Sequence, residues 1–248
     1  MNEISEKVKA AGVVGAGGAG FPTHVKLSAK ADIFVVNGAE CEPMLRNDQQ
    51  LMAKSPELLV KGLNWAMQAT GAKEGIIALK AKYGEAIAAL QPMLAANQRI
   101  EILRDVYPAG DEVITLWMTT GRRVPPGGIP IDVGAVLNNP QTLMNVARAM
   151  EDIPVTTRTF TITGAVRNPL TITAPIGTTL QELLDLAGGP TCASPAFIDG
   201  GPMMGHLIDD LSQPVTKITG GLIVLPGSHM LIVRKRQTMQ SVLRIAKT

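Results

Sequence analysis

Gly15-Ala16-Gly17-Gly18-Ala19-Gly20-Phe21-Pro22-Thr23, and soon after it Asp32-Ile33-Phe34-Val35-Val36-Asn37, are the two stretches from which the fold can be read. The first is a glycine run that lets backbone approach a phosphate or a ring without a side-chain barrier. The second is apolar and β-branched, which reads as a buried strand ending in an amide. Outward from these, residues 2–11 read as a short amphipathic helix and 23–31 as another. Residues 38–48 read as a polar loop. A helix is expected over 56–70, where Ser55-Pro56-Glu57 supplies an N-cap position and a proline at the first helical position. Strands are expected at 75–79, 99–103 and 134–137, and helices at 83–95, 111–120 and 138–150. Strands and helices alternating through short connections predict a mostly parallel, Rossmann-like α/β layer domain over residues 1–153.

After Ile153-Pro154 the pattern changes. Residues 156–166 alternate like a half-buried strand, Asn168-Pro169 turns, and 170–173 return. Thr179 and Glu182 have capping-box spacing before a helix over 178–187. Short strands are expected near 196–198, 222–224 and 231–233. Residues 154–248 therefore read as a smaller α+β module.

Composition narrows the function. The chain has 248 residues, with 46% hydrophobic and 18% charged residues and a formal charge of +2, so it can bury a core and lacks the excess charge of a disordered chain. That near-neutral charge and 3% aromatic content argue against a nucleic-acid binder. The two cysteines, Cys41 and Cys192, are too few for a disulfide scaffold or for a four-thiolate cluster held by this chain alone. His24, His206 and His229 show no metal-ligand spacing, and no metal site is expected. Neither a secretory leader nor a transmembrane run is apparent, so a cytoplasmic protein is expected.

Four constellations could carry chemistry. Gly15, Gly17 and Gly20 satisfy the dinucleotide fingerprint G-x-G-x-x-G, with Glu40 about 20 residues on, but no clear strand precedes them. They read equally as a tight structural loop. Asn37-Gly38-Ala39-Glu40-Cys41-Glu42-Pro43 stands at the carboxyl end of a strand, where open α/β sheets bind ligands; it is either a ligand edge or a solvated acidic turn. Gly110-Asp111-Glu112 reads first as an ordinary acidic helix start. Asn138-Asn139-Pro140-Gln141-Thr142 offers amides, a hydroxyl and free N–H groups at a helix start, as a phosphate cradle or simply as a cap.

Taken in order, these segments resemble the NADH-oxidising flavoprotein subunit of respiratory complex I and the RnfC electron-transport subunit. The glycine run with Lys26 resembles that family's flavin loop. Asn37 through Pro43 resembles its second flavin and NADH segment in the RnfC-like form. Gly110-Asp111-Glu112 resembles its Gly-Glu-Glu element, and Asn138-Asn139 with Thr142 its flavin-phosphate element. Residues from Gly164 to Gly189 resemble the soluble-ligand-binding β-grasp (SLBB) domain that follows in these proteins. Among the family's branches, the likeness is greatest to the cobalamin reductases of propanediol-utilisation microcompartments.

The resemblance implies an FMN-dependent NADH oxidoreductase. FMN would lie against Gly15, Gly17 and Gly18, with Lys26 nearby, Asn37 and Glu40 facing the flavin, and Asn138, Asn139 and Thr142 at its phosphate. Glu42, Glu112 and Phe21 would be nearest the nicotinamide nucleotide, with Glu42 and Glu112 as the catalytic candidates. Ala16 stands where the complex I form has arginine, Ala39 where it has aspartate, and Ala29 where it has an aromatic that stacks on NADH. The flavin site is thus the more complete of the two.

The resemblance further implies that electrons leave through 4Fe-4S clusters to cobalamin. Those clusters need cysteines this chain lacks, so a fragment ending before a cluster domain is expected, with Arg234 to Lys247 as the start of the connection. Expected partners are NADH, cobalamin or a cobalamin-handling enzyme, and microcompartment proteins, with no nucleic acid and no membrane. The location would be a bacterial microcompartment in the cytoplasm. Two other readings stay open: an NAD-dependent Rossmann-type dehydrogenase built on Gly15, Gly17, Gly20 and Glu40, and a non-enzymatic ligand- or partner-binding module.

Overall fold

The core strand of the first sheet is β1 (Ile33–Asn37), buried on both faces. Phe34 and Val36 enter one hydrophobic cluster, while Ile33 and Val35 enter another, as the period of two requires. The computed structural model describes residues 2–237 and divides into two units. One holds the chain up to Cys41 and Arg46–Thr156; the other holds Glu42–Leu45 and the chain from Thr157.

In the first unit β1 pairs in parallel with β2 (Glu74–Lys80) and with β4 (Ala135–Asn138), and β2 pairs in parallel with β3 (Gln98–Leu103). The strand order is β3-β2-β1-β4. Its larger cluster gathers apolar residues of α1 (Glu3–Ala10), α2 (Thr23–Ser28), α4 (Pro56–Thr70), α5 (Gly84–Leu90) and α7 (Pro140–Ala149). The opposite face carries Ile76, Ala78 and Leu137 and is covered by Leu116 of α6 (Glu112–Thr120). Local chemistry explains the ends. Asn2 accepts from Ser5 N to start α1, Pro56 opens α4, and Gly71 closes it in a left-handed conformation.

Three expectations here are corrected. The loop after β1 ends at Arg46, and α3 (Asn47–Lys54) follows. The helix expected over 23–31 stops at Ser28, and the one expected over 83–95 is α5 followed by a single 3-10 turn at Gln91–Met93. Pro92 lacks the N–H an α-helix would need there.

The second unit has strand order β6-β5-β9-β7-β8, with β5 (Thr157–Gly164) antiparallel to β6 (Leu170–Pro175) and parallel to β9 (Gly221–Pro226). β7 (Pro195–Asp199) lies antiparallel to both β9 and β8 (His206–Ile208). Phe160, Ile162, Leu222 and Val224 pack under α8 (Leu180–Leu186), whose Thr179–Glu182 capping box is formed. The apolar run at 231–233 is not a strand but part of α9 (Met230–Lys235). His229 caps it by accepting from Leu231 N, and Ile232 alone is fully buried, against Ile198 and Ile223. Of the expected connection from Arg234 to Lys247, the part beyond Gln237 lies outside the described residues.

Candidate functional site

In the order β3-β2-β1-β4 the chain runs outward from β1 to β3, then returns to β1's other side as β4. The β1/β4 boundary is therefore a topological switch point, the place in an open α/β sheet where a crevice opens beyond the strands' carboxyl ends. Asn37 ends β1 and Asn138 ends β4, and Val36 pairs with Asn138 across that boundary. Of the expected residues, Gly15, Gly17, Gly18, Phe21, Lys26, Asn37, Glu40, Glu112, Asn138, Asn139 and Thr142 all belong to this unit.

The glycine run lies between α1 and α2 and is closed by Gly15 N donating to Phe21 O at 2.8 Å and by a bridge between Val14 and Pro22. Gly18 and Gly20 have φ of +107° and +65°, which side chains rarely tolerate. No strand leads directly into the run, which weighs against the dehydrogenase fingerprint. Ala16 N donates to the buried Thr142 hydroxyl at 2.9 Å, tying the run to the first turn of α7. Thr142 thus holds the loop in place. Asn139 caps α7 by accepting from Gln141 N, and its Nδ2 donates to Asp48 Oδ2 at 2.7 Å.

Asn138 differs from its neighbour. It is 5% exposed, and its Nδ2 has no hydrogen-bond partner. A buried amide donor left in this state costs about 1–3 kcal/mol, and such exceptions in a native fold call for a partner.

Asn37 Nδ2 donates to Gly110 O at 2.7 Å, joining the end of β1 to the turn before α6. Glu40, at a φ of 38°, turns its carboxylate onto the start of α3, accepting from Asp48 N at 2.9 Å and Gln49 N at 3.2 Å. Burial raises its carboxyl above the usual range, and these donors pull it back only in part. Burial and the nearby Glu40 carboxylate push the Tyr83 phenol up, so Tyr83 stays protonated and donates to Ala39 O at 3.1 Å. Lys26 Nζ lies 2.5 Å from Glu112 Oε1 and 3.0 Å from Leu137 O, with the Phe21 ring centroid 5.9 Å away. Glu42 belongs to the second unit, where its carboxylate accepts from Met203 N at 2.8 Å and Met204 N at 2.6 Å. Among the described residues no group of acids, cysteines and histidines could hold a metal ion, and no helix is long and apolar enough to cross a membrane.

Asp48 and Tyr83 join these contacts although no motif in the sequence marks them. Tyr83 stands at the start of an expected helix. Asp48 closes what reads as a loop; the run Asn47-Asp48 before Gln-Gln-Leu-Met is a helix start that could have pointed to it.

Glu40 gives a pH prediction. A carboxyl whose pKa is raised on folding binds more protons folded than unfolded between its two pKa values, so its contribution to stability falls as pH rises through that interval. In urea titrations from the ordinary glutamate range upward, the wild-type chain should lose stability relative to Glu40→Gln as pH increases. A difference independent of pH would contradict the burial effect.

Residues 8–148 match the family model of the Nuo51 FMN-binding domain. The chain belongs to the Nuo51 FMN-binding domain family. The match takes in the glycine run, β1 to β4 and most of α7, and with them the β1/β4 switch point. Residues 159–207 match the SLBB domain. Among curated relatives of this Nuo51-family chain, the cobalamin reductase PduS of Citrobacter freundii is 62% identical over 246 residues, covering 99% of this chain and 54% of the relative. A component of the Na(+)-translocating ferredoxin:NAD(+) oxidoreductase complex of Acetobacterium woodii is 40% identical, covering 90% of this chain and 52% of that protein. A solved NAD+-reducing [NiFe]-hydrogenase in the H2-reduced state superposes with a TM-score of 0.77 at 27% identity, over 90% of this chain and 46% of that one. The chain thus spans about half the length of the curated relatives it matches. The α/β flavin-domain fold with a second, SLBB-type sheet domain agrees with the sequence reading.

Proposed function

We propose that the β1/β4 crevice holds FMN and that the chain is the flavin-bearing part of an oxidoreductase taking electrons from NADH and delivering them to cobalamin. The observation that carries this reading is the buried, unpartnered Asn138 Nδ2 at the switch point of a Nuo51-type sheet. The residues present fit the group. Asn138 Nδ2 is a donor waiting for an acceptor, and the Gly18 position has open space where a side chain would stand.

Gly15, Gly17 and Gly18 would present backbone to the cofactor. Asn138 and Asn139 would serve its phosphate end, Asn37 and Glu40 its ring, and Lys26 would supply a cation. Thr142 keeps Ala16 and the run in position, and Tyr83 fixes the Ala39 carbonyl. FMN supplies acceptance of a hydride as an electron pair and release of electrons one at a time. The protein's share is binding, orientation and exclusion of water, with no side-chain nucleophile required.

Glu112 and Phe21 remain the candidates on the nucleotide side. Glu42 is engaged by the backbone of Met203 and Met204, so a nucleotide role for it requires release of those bonds. Any 4Fe-4S clusters on the route would be ligated outside these 248 residues, because Cys41 and Cys192 cannot provide four thiolates. The cobalamin acceptor is supported by the name of the 62% identical relative, and on this reading the protein works in a microcompartment.

Titration of the folded chain with FMN should quench flavin fluorescence with one-to-one stoichiometry at about micromolar concentrations. Adding NADH anaerobically should then bleach the flavin absorbance. A folded chain that leaves flavin fluorescence unchanged would overturn the proposal. Nicotinamide binding without flavin would return the dehydrogenase reading.

A further inference from the structure

Lys26 and Glu112 come from opposite faces of the first sheet. Lys26 lies on α2, whose Leu27 packs in the larger cluster; Glu112 opens α6, whose Leu116 packs in the smaller one. Their side chains meet at the carboxyl end of β4, an edge strand. The ammonium is held by the Glu112 carboxylate and by the carbonyl of Leu137, one residue before Asn138. It also stands near the ring of Phe21, which follows the glycine run. Three elements of the crevice therefore converge on a single cation.

An ammonium has three N–H donors, and two are engaged here. The lysine side chain is 23% exposed and the glutamate 47%, so the pair faces solvent and adds little to stability. A structural brace would be expected to be more deeply buried. In this place the pair instead stands at the carboxyl end of β4, next to Asn138, which on the reading above serves an anion.

We propose that Glu112 is a positioning residue acting through Lys26. It is the crevice's own counter-anion, which aims the ammonium at the end of β4 and gives it up to an incoming phosphate-bearing ligand. The anion meets the third N–H and repels the Glu112 carboxylate, replacing one negative partner of Lys26 with another. No covalent step is involved. The inference rests on the crevice being a flavin or nucleotide site. It goes beyond that by making Glu112 a competitor for the ligand's charge, so that the pair tunes selectivity between anionic and neutral ligands of the same shape.

FMN and riboflavin separate this role from a merely structural one, because they share a ring and a ribityl chain and differ in the phosphate. Both would be titrated by flavin fluorescence into the wild-type chain, Glu112→Gln, Lys26→Met and the double variant, at low and high salt, with thermal melts confirming that each is folded. Glu112→Gln should tighten FMN about threefold at low salt, the scale of one partly exposed ion pair, and leave riboflavin unchanged. High salt should shrink the effect. In the Lys26→Met background the same substitution should have less than half its effect. Equal tightening of both ligands, weaker FMN binding in Glu112→Gln, or an undiminished effect without Lys26 would each overturn the inference alone. Failure of the wild-type chain to bind FMN would overturn it together with the proposed function.

Discussion

Replacing Gly62 by alanine is expected to destabilise the first unit, although alanine is the better helix former. Gly62 lies within α4 where it crosses α7, and an added Cβ would stand 2.0 Å from Leu143 O and 2.5 Å from Leu143 C. These are backbone atoms of a neighbouring helix, so no side-chain rotation relieves the clash and the two helices must part. Overpacking of this kind costs about 3 kcal/mol. Helix propensity returns about 1 kcal/mol. The net loss of about 2 kcal/mol should lower the melting temperature by about 6 °C for a unit of this size.

Both tryptophans, Trp65 and Trp117, lie in the first unit, so tryptophan fluorescence follows this transition separately from the second unit. Gly84→Ala is the matched control. It too stands in a helix, with nothing within 4 Å of its added carbon, and should be neutral or slightly stabilising. A stabilised Gly62→Ala would show that α4 and α7 do not approach this closely. The effect should also reach the site, because α7 begins with the residues that flank the crevice; weaker FMN binding should accompany the lower melting temperature.

Elements with their signals written locally were legible in the sequence. β1 is a run of Ile-Phe-Val-Val, and α4 carries its own proline start and glycine stop. α3 was not legible, because its cap is not local. Arg46 at its N-cap supplies no side-chain capping bond, and the carboxylate of Glu40 satisfies the Asp48 and Gln49 amides instead. α9 carries a misleading local signal, because Leu-Ile-Val favours strand, while its burial needs only one residue, Ile232, to face the sheet. The site divides in the same way. Its amides, glycines and acids stood out as clusters, yet what each touches depends on β4 returning beside β1. Ala16 with Thr142, Asn37 with Gly110 and Asn139 with Asp48 are far apart in sequence, and periodicity does not encode such pairs. Glu42 shows the limit of carrying a motif across: it sits in the expected segment, but its contacts are made in the second unit.

Asn138→Leu should move stability and binding in opposite directions, and by large amounts. In the chain alone, Asn138 Nδ2 is buried without a partner, and leucine, branched at Cγ like asparagine, removes that donor while adding apolar contact at the end of β4. Relief of an unsatisfied buried group should raise stability by about 1 kcal/mol. The same change deletes a donor to a charged or strongly polar ligand, a bond of about 1.5–3 kcal/mol, so FMN should bind at least about tenfold more weakly.

The two readouts are independent: a tryptophan melt without flavin and a fluorescence titration with it. A residue serving only the fold would lose stability on substitution and leave affinity nearly unchanged. A residue held in an unfavourable state for its ligand gives the reverse, since a protein retains a local violation of its own packing rules where function requires it. If Asn138→Leu instead melts lower and binds FMN as well as the wild-type chain does, the unpaired amide has a structural partner in solution. The assignment of the β1/β4 crevice as the cofactor site would then lose its main support.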